Sequence, residues 1–308
     1  MTKILIVGIG GVGGYFGGML AKTFHDSKEV SICFMARGEH LKAIKEKGLL
    51  VIKGDTRFYA HPDMASDNPS DFGKVDYIIL CTKSYDIEET ANKIKSCVKT
   101  ETVFLPLLNG MDSAEKIKTM YPDNLIADGC AHIISRLTAP GKVQNLGNIE
   151  RIVFGVQDMD DSRLDFLYDI FKRAGVDAKR TKQIPTPIWE KFIFISATAT
   201  ITSYYNKTFG EIKQCEDCCK NLRQLIDECS TVAEHKNIVL PADIREQIWN
   251  KFLNLLPETT TSMHSDYLAG KKQTEVHSLT GYIVEQAEKY GIDVPTYREM
   301  YLYLIENK

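Results

Sequence analysis

No uninterrupted apolar run in this 308-residue chain approaches the ~18 residues that a membrane-spanning helix needs, so a helical membrane protein is excluded. Charge of one sign is also missing. The chain has 38 Lys and Arg against 41 Asp and Glu, a net charge of -3, which gives no reason to expect nucleic acid or an anionic membrane surface as a partner. The apolar N-terminus lacks a charged leading region and a small-residue cleavage site, so no secretory signal is expected. The eight cysteines lack the regular spacing of a disulfide framework, which fits a reducing cytoplasm. Cys33 and Cys81 lie in apolar strand patterns, where cysteine acts as a small buried hydrophobe. The run Cys215-Glu216-Asp217-Cys218-Cys219 has no second C-x-x-C and no histidine at finger spacing, so reduced helical cysteines rather than a metal site are expected. Internal repeats and low-complexity tracts are absent too.

What is present begins with Lys3 to Gly18. The β-branched run Ile4 to Val7 predicts a buried parallel strand, and an apolar helix follows from Tyr15. Between them Gly8, Gly10 and Gly13 stand at the G-x-G-x-x-G spacing of a dinucleotide-binding turn. The first glycine permits the tight turn, the second lets backbone approach a pyrophosphate, and the third lets helix and strand pack closely. The helix N-terminus then directs unpaired N–H groups at the phosphates.

A second strand is predicted over residues 30–35. An acid at its end would bind the ribose 2′-hydroxyl of NAD, but the residues there are Met35, Ala36 and Arg37, with no acid until Glu39. A guanidinium at that point can clamp a 2′-phosphate, which favours NADPH over NADH. Further strands are expected near residues 77–81, 102–108, 125–130, 142–146, 152–156 and 176–181, alternating with helices. Lys83 and Asn109 follow two of these strands, at the carboxyl ends where ligands gather in doubly wound sheets. Each also has a plain reading, as a solvated loop lysine and as a turn asparagine before Gly110.

Ile184-Pro185-Thr186-Pro187 reads as a stiff, helix-free connector, and nearly everything after it has helical character. The expectation is an α/β fold: a Rossmann-type, doubly wound, mainly parallel sheet over residues 1–183, then an all-α domain over 184–308. Helices are expected at 188–205, 215–235, 241–255, 275–290 and 297–305.

The helical domain offers two reactive stretches. Lys191, just after the connector, reads either as a proton donor to a carbonyl oxygen at a cleft or as a surface lysine paired with an acid on the next turn. The stretch from Thr259 to Glu275 carries Ser262, Asp266, Lys271 and Glu275. Ser262 reads as a carboxylate anchor or a loop hydroxyl, and Glu275 as a hydroxyl partner or a first-turn acid. Residue chemistry alone leaves both pairs open.

The ordered set of motifs resembles the ketopantoate reductase (2-dehydropantoate 2-reductase) family over nearly the whole chain. It comprises Gly8 to Gly17, Ala36-Arg37-Gly38, Thr82-Lys83, Leu108-Asn109-Gly110-Met111 and Trp189-Glu190-Lys191-Phe192. Thr261-Ser262-Met263 with Asp266, Thr274-Glu275-Val276 and Tyr290 to Pro295 complete it. The resemblance implies NADPH-dependent reduction of an α-keto acid, the pantoate step toward pantothenate and coenzyme A, by a cytoplasmic enzyme that forms a homodimer in analogy. It implies that Arg37 and Lys83 contact the cofactor phosphates and that Asn109 bridges cofactor and substrate. Lys191 is the implied general acid, Ser262 and Asp266 lie at the substrate, and Glu275 binds its hydroxyl. One departure stands out. The family carries asparagines four and eight residues after the lysine, and this chain has Ile195 and Ala199. Thr198 and Thr202 share that helical face and are candidate substitutes. Two alternatives follow: reduction of a less polar α-keto acid, or a catalytically silent NADPH-binding sensor.

Overall fold

The structure, a computed structural model, describes residues 1–307. By its internal contacts the chain divides into two units. The first holds residues 1–108 and 113–184; the second holds Asn109–Asp112 together with the helices from Pro185 onward.

The first unit begins with β1 (Thr2–Val7), α1 (Gly11–Thr23), β2 (Val30–Met35) and α2 (Gly38–Lys47). A hairpin, β3 (Leu49–Lys53) and β4 (Thr56–Ala60), turns at Gly54, and β5 (Met64–Ser66) follows. Next come β6 (Tyr77–Leu80), α3 (Ile87–Lys93), β7 (Val103–Pro106), α4 (Ser113–Met120) and β8 (Leu125–Ile126). The unit ends with β9 (Asp128–Ala139), β10 (Lys142–Gly155), α5 (Ser162–Arg173) and β11 (Asp177–Arg180).

Six strands form one wholly parallel sheet in the order β5-β2-β1-β6-β7-β8. Its central strands are buried on both faces, which explains their unbroken apolar composition. Alternation along β1 sends Ile4 and Ile6 into one core with Phe16 and Leu20, and Leu5 and Val7 into another with Phe72, Ile87 and Ile94.

A second, mixed sheet was not foreseen. Residues 125–156 form β8 and then a long antiparallel hairpin of β9 and β10, rather than three short strands. β10 also pairs in parallel with β3 and β11. Helix α1 lies between the two sheets and needs bare backbone there. A Cβ on Gly14 would come within 2.6 Å of Val143 in the second sheet, and one on Gly17 within 3.1 Å of Phe34 in the first.

The second unit comprises α6 (Pro185–Tyr205), α7 (Phe209–Lys213), α8 (Glu216–His235), α9 (Ile244–Leu253), α10 (Ser262–Leu268), α11 (Tyr282–Tyr290) and α12 (Pro295–Glu306). A π-helical turn, His277–Gly281, precedes α11. The connector expected to be helix-free is instead the first turn of α6. Proline is tolerated there because its missing N–H is one that no helix satisfies at its start. α6 is buried over most of its length at the centre of the bundle, with Trp189, Phe192, Ile193 and Ile201 in the core. The carboxylate of Glu228 on α8 accepts the backbone N–H groups of Thr296 and Tyr297 at 3.0 Å each, capping the start of α12.

The cysteine expectation is corrected at one place: Cys215 and Cys218 are joined by a disulfide. Cys33, Cys81, Cys97, Cys130, Cys219 and Cys229 are not disulfide-bonded. The expected helix began at Cys215; in the structure Cys215 is its N-cap, and the side chain folds back over the first turn to meet Cys218. Among the described residues no helix is long and apolar enough to cross a membrane.

Candidate active site

The glycine turn separates what the fold demands from what a ligand demands. Gly8 has φ +90°, and a Cβ there would sit 2.9 Å from the Cys81 carbonyl group. A Cβ on Gly13 would overlap the carbonyl oxygen of Gly8. Both positions are therefore required by packing of the turn against β1 and the end of β6. Gly10 differs: a Cβ there would meet no atom within 4 Å. No protein contact explains its bareness, whereas close approach of a pyrophosphate does. Gly10 is also the N-cap of α1 and offers no side chain to the first turn, whose N–H groups remain available to an anion. The turn therefore fits a dinucleotide.

His40, which sequence reasoning passed over, clamps this turn. Its Nε2 lies 2.7 Å from the carbonyl oxygen of Ile9, and its Nδ1 accepts the N–H of Gly141 at 2.8 Å. A single neutral tautomer satisfies both bonds, and burial holds the imidazole below its usual range. No motif could have flagged His40, since Gly141 lies 101 residues away. Beneath the turn, burial pushes the Cys81 thiol up to about 12, so it stays protonated.

Arg37 is exposed at the N-cap of α2, and Lys83 follows β6. The carboxyl of Asp86 is raised by burial while the charges of Arg37 and Lys83 both pull it down. Two cations far apart in sequence thus act on one carboxylate near the carboxyl ends of β2 and β6.

In the second unit, the half-buried Lys191 on α6 donates from Nζ to Asn109 Oδ1 at 3.0 Å. The lysine is therefore engaged by a side-chain partner rather than freely solvated. Asn109 reaches it because Asn109–Asp112 packs with the helices, Met111 lying against their apolar core. Gly110, at φ +106°, approaches Ser278 so closely that a Cβ would stand 3.3 Å from the serine's own Cβ. Ser278 Oγ in turn donates to the carbonyl oxygen of Glu275 at 3.1 Å. Glu275 is only 3% exposed and leads directly into the π-helical turn, a widened helix geometry frequent at functional sites. Lys191, Asn109 and the Glu275–Ser278 corner therefore form one linked group.

The remaining expected residues sit differently. Ser262 is exposed as the first residue of α10, after the N-cap Thr261. Thr261 Oγ1 lies 2.9 Å from Thr202 Oγ1 and so ties α10 to α6. Asp266 is buried, with Oδ1 held by Lys271 Nζ at 2.5 Å. The Thr198 hydroxyl donates to the carbonyl oxygen of Phe194 at 2.6 Å and is engaged within its own helix. Ala199 lies in the apolar core, and Ile195 packs against it. Neither position offers a hydrogen bond from its side chain.

Comparison with known proteins bears on this arrangement. Residues 4–158 match the family described as ketopantoate reductase PanE/ApbA, and residues 183–306 match its C-terminal part. The chain is 27% identical to the uncharacterized oxidoreductase YkpB of Bacillus subtilis (strain 168) over 302 residues, 97% of this chain and 96% of that one. Among solved structures, it is 34% identical to the 2-dehydropantoate 2-reductase of Porphyromonas gingivalis W83, with a TM-score of 0.86 and 99% of both chains covered. It is 25% identical to a D-mandelate dehydrogenase solved with NADH and anilino(oxo)acetate, with a TM-score of 0.85 and coverage of 99% of this chain and 98% of that one.

Proposed function

Because the chain belongs to the ketopantoate reductase family of nicotinamide-dependent oxidoreductases, we propose that it reduces 2-dehydropantoate to pantoate with NADPH. The observation that carries this reading is the hydrogen bond from Lys191 Nζ to Asn109 Oδ1 at 3.0 Å. A substrate carbonyl has to exchange a proton with a donor whose position is held, and Asn109 holds the lysine ammonium from the one side it can, as an acceptor.

Bound NADPH supplies the hydride. The protein supplies the rest. Lys191 gives a proton to the carbonyl oxygen as negative charge grows on it, and its own charge stabilises that oxygen. The exposed Ser262 hydroxyl donates to the substrate carboxylate, and the Glu275 carboxylate accepts from its hydroxyl. Arg37 and Lys83 hold the cofactor phosphates, Arg37 selecting the 2′-phosphate with its two-pronged guanidinium. Asp266 is paired with Lys271, and the Thr198 hydroxyl is engaged within α6.

A second reading rests on Ile195 and Ala199. A pocket that lacks side-chain partners for a substrate hydroxyl discriminates poorly for it. An α-keto acid with an apolar or aryl substituent suits a helix without those two polar side chains, in line with the likeness to a D-mandelate dehydrogenase.

Following NADPH absorbance with 2-dehydropantoate and with phenylglyoxylate, alongside Lys191→Ala, tests both. Dominant, Lys191-dependent kcat/KM for 2-dehydropantoate supports the first reading. Preference for the aryl acid moves the assignment to the second. Tight NADPH binding without turnover of either would leave a cofactor sensor.

A further inference from the structure

From the cysteine run at the start of α8, we infer that Cys215 and Cys218 form a reversible thiol–disulfide couple that exchanges with low-molecular-weight disulfides and thiols. The two positions are not equivalent. Cys215 is the N-cap of α8 and half-exposed, whereas Cys218, one turn on, is fully buried in the apolar core of the bundle. Cys215 Sγ also accepts the backbone N–H of Cys218 at 3.2 Å. In the reduced state that N–H and the positive end of a 20-residue helix favour the thiolate at Cys215. Cys218, in apolar surroundings with no access to solvent, is the resolving partner.

Cys219 is held apart from the pair. Its Sγ donates to the carbonyl oxygen of Ile212 at 3.3 Å, and burial pushes its thiol up although Arg223 pulls it down. Cys229 lies deeper on the same helix, and burial pushes its thiol up strongly. The reactive chemistry therefore falls on the half-exposed sulfur at the helix start, with its buried partner one turn on. A bridge that closes so short a loop adds little to stability, because the loop-closure gain grows with loop length. A lasting cross-link is the weaker explanation of the pair.

The exchange balances as follows. The Cys215 thiolate attacks a disulfide RS–SR, forming the Cys215–SR mixed disulfide and releasing RS⁻. The Cys218 thiolate then attacks Cys215 Sγ, forming the bridge and releasing a second RS⁻. Two electrons pass from the cysteine pair to RS–SR, and the two cysteine protons end on two RSH. Excess thiol reverses both steps.

The test uses the full-length protein, glutathione and its disulfide as probes, and thiol alkylation with peptide mass mapping. The expected result is a loss of two alkylatable thiols on oxidation and their recovery on reduction without denaturant, both mapped to Cys215 and Cys218. Cys218→Ser should accumulate a stable glutathione adduct at Cys215, Cys215→Ser should form neither adduct nor bridge, and Cys219→Ser should behave as the parent protein. A bridge that reduces only after unfolding would overturn the inference by showing a static cross-link. It would fall equally if oxidation modified Cys219 first, or if no cysteine pair responded.

Discussion

Lys191 and Asn109, 82 residues apart, meet through a 3.0 Å hydrogen bond in which the lysine ammonium donates to the amide oxygen. The bond exists because four residues following β7 pack with the helical unit rather than with the strand that precedes them. Asn109 accepts through Oδ1, which leaves the other ammonium protons of Lys191 to different partners.

Lys191→Ala should lower kcat by roughly 10²–10⁴, the usual contribution of a positioned general acid. Asn109→Ala leaves the ammonium present but unheld, so a smaller fall in kcat is expected, together with a raised KM. Steady-state kinetics of the two single variants and the double variant check this. Additive losses would show that the two residues act independently.

For Arg37→Ala, the expected outcome is a large rise in KM for NADPH with little change for NADH, because only NADPH carries the 2′-phosphate. Equal loss with both cofactors would remove Arg37 from that role.

Gly10→Ala and Gly13→Ala should separate binding from stability. The first adds a methyl group to open space, so thermal unfolding of the protein without cofactor should shift by no more than about 0.5 kcal/mol. Its affinity for NADPH, read by fluorescence titration, should fall sharply. The second forces a methyl group onto the Gly8 carbonyl oxygen and should lower the unfolding temperature markedly. Similar melting losses for both variants would show that Gly10 is needed by the fold alone.

His40 ties pH to the cofactor turn. Its ring is held below the usual histidine range by burial, so the native state binds fewer protons than the unfolded state as pH falls past about 6.5. The contribution of His40 is present above that pH and is lost as pH drops through the native-state value. Protonation also removes the acceptor that Nδ1 offers to the Gly141 N–H. NADPH affinity should therefore weaken as pH falls below the usual histidine range, and His40→Gln should flatten that dependence. An unchanged pH profile in His40→Gln would assign the effect elsewhere.

Much of the first unit was legible because its signals are local. The strand, glycines and helix from Thr2 to Thr23 are contiguous, and the unbroken apolar runs of β2, β6 and β7 read directly as strands buried on both faces. The β9–β10 hairpin was obscured because the end of β9 is mostly exposed, Ile134 and Leu137 included, and the pairing shifts register between Asn145 and Glu150, so neither strand keeps one alternation throughout. The start of α6 was misread because proline both ends one helix and begins another, and only the backbone beyond Pro187 decides between them.

The site divides along the same line. The chain by itself determined the family, the dinucleotide turn and the residue types able to carry a hydride-transfer reaction, since each is written in neighbouring residues or ordered motifs. Tertiary structure alone decided that Asn109 serves the helical unit, that His40 clamps the glycine turn and that the Thr198 hydroxyl is engaged within its own helix. It also decided that Cys215 and Cys218 are bridged. Each of these depends on which donor meets which acceptor once the chain has packed, and even the two local ones, Thr198 and the cysteine pair, turn on rotamers that the surrounding core selects.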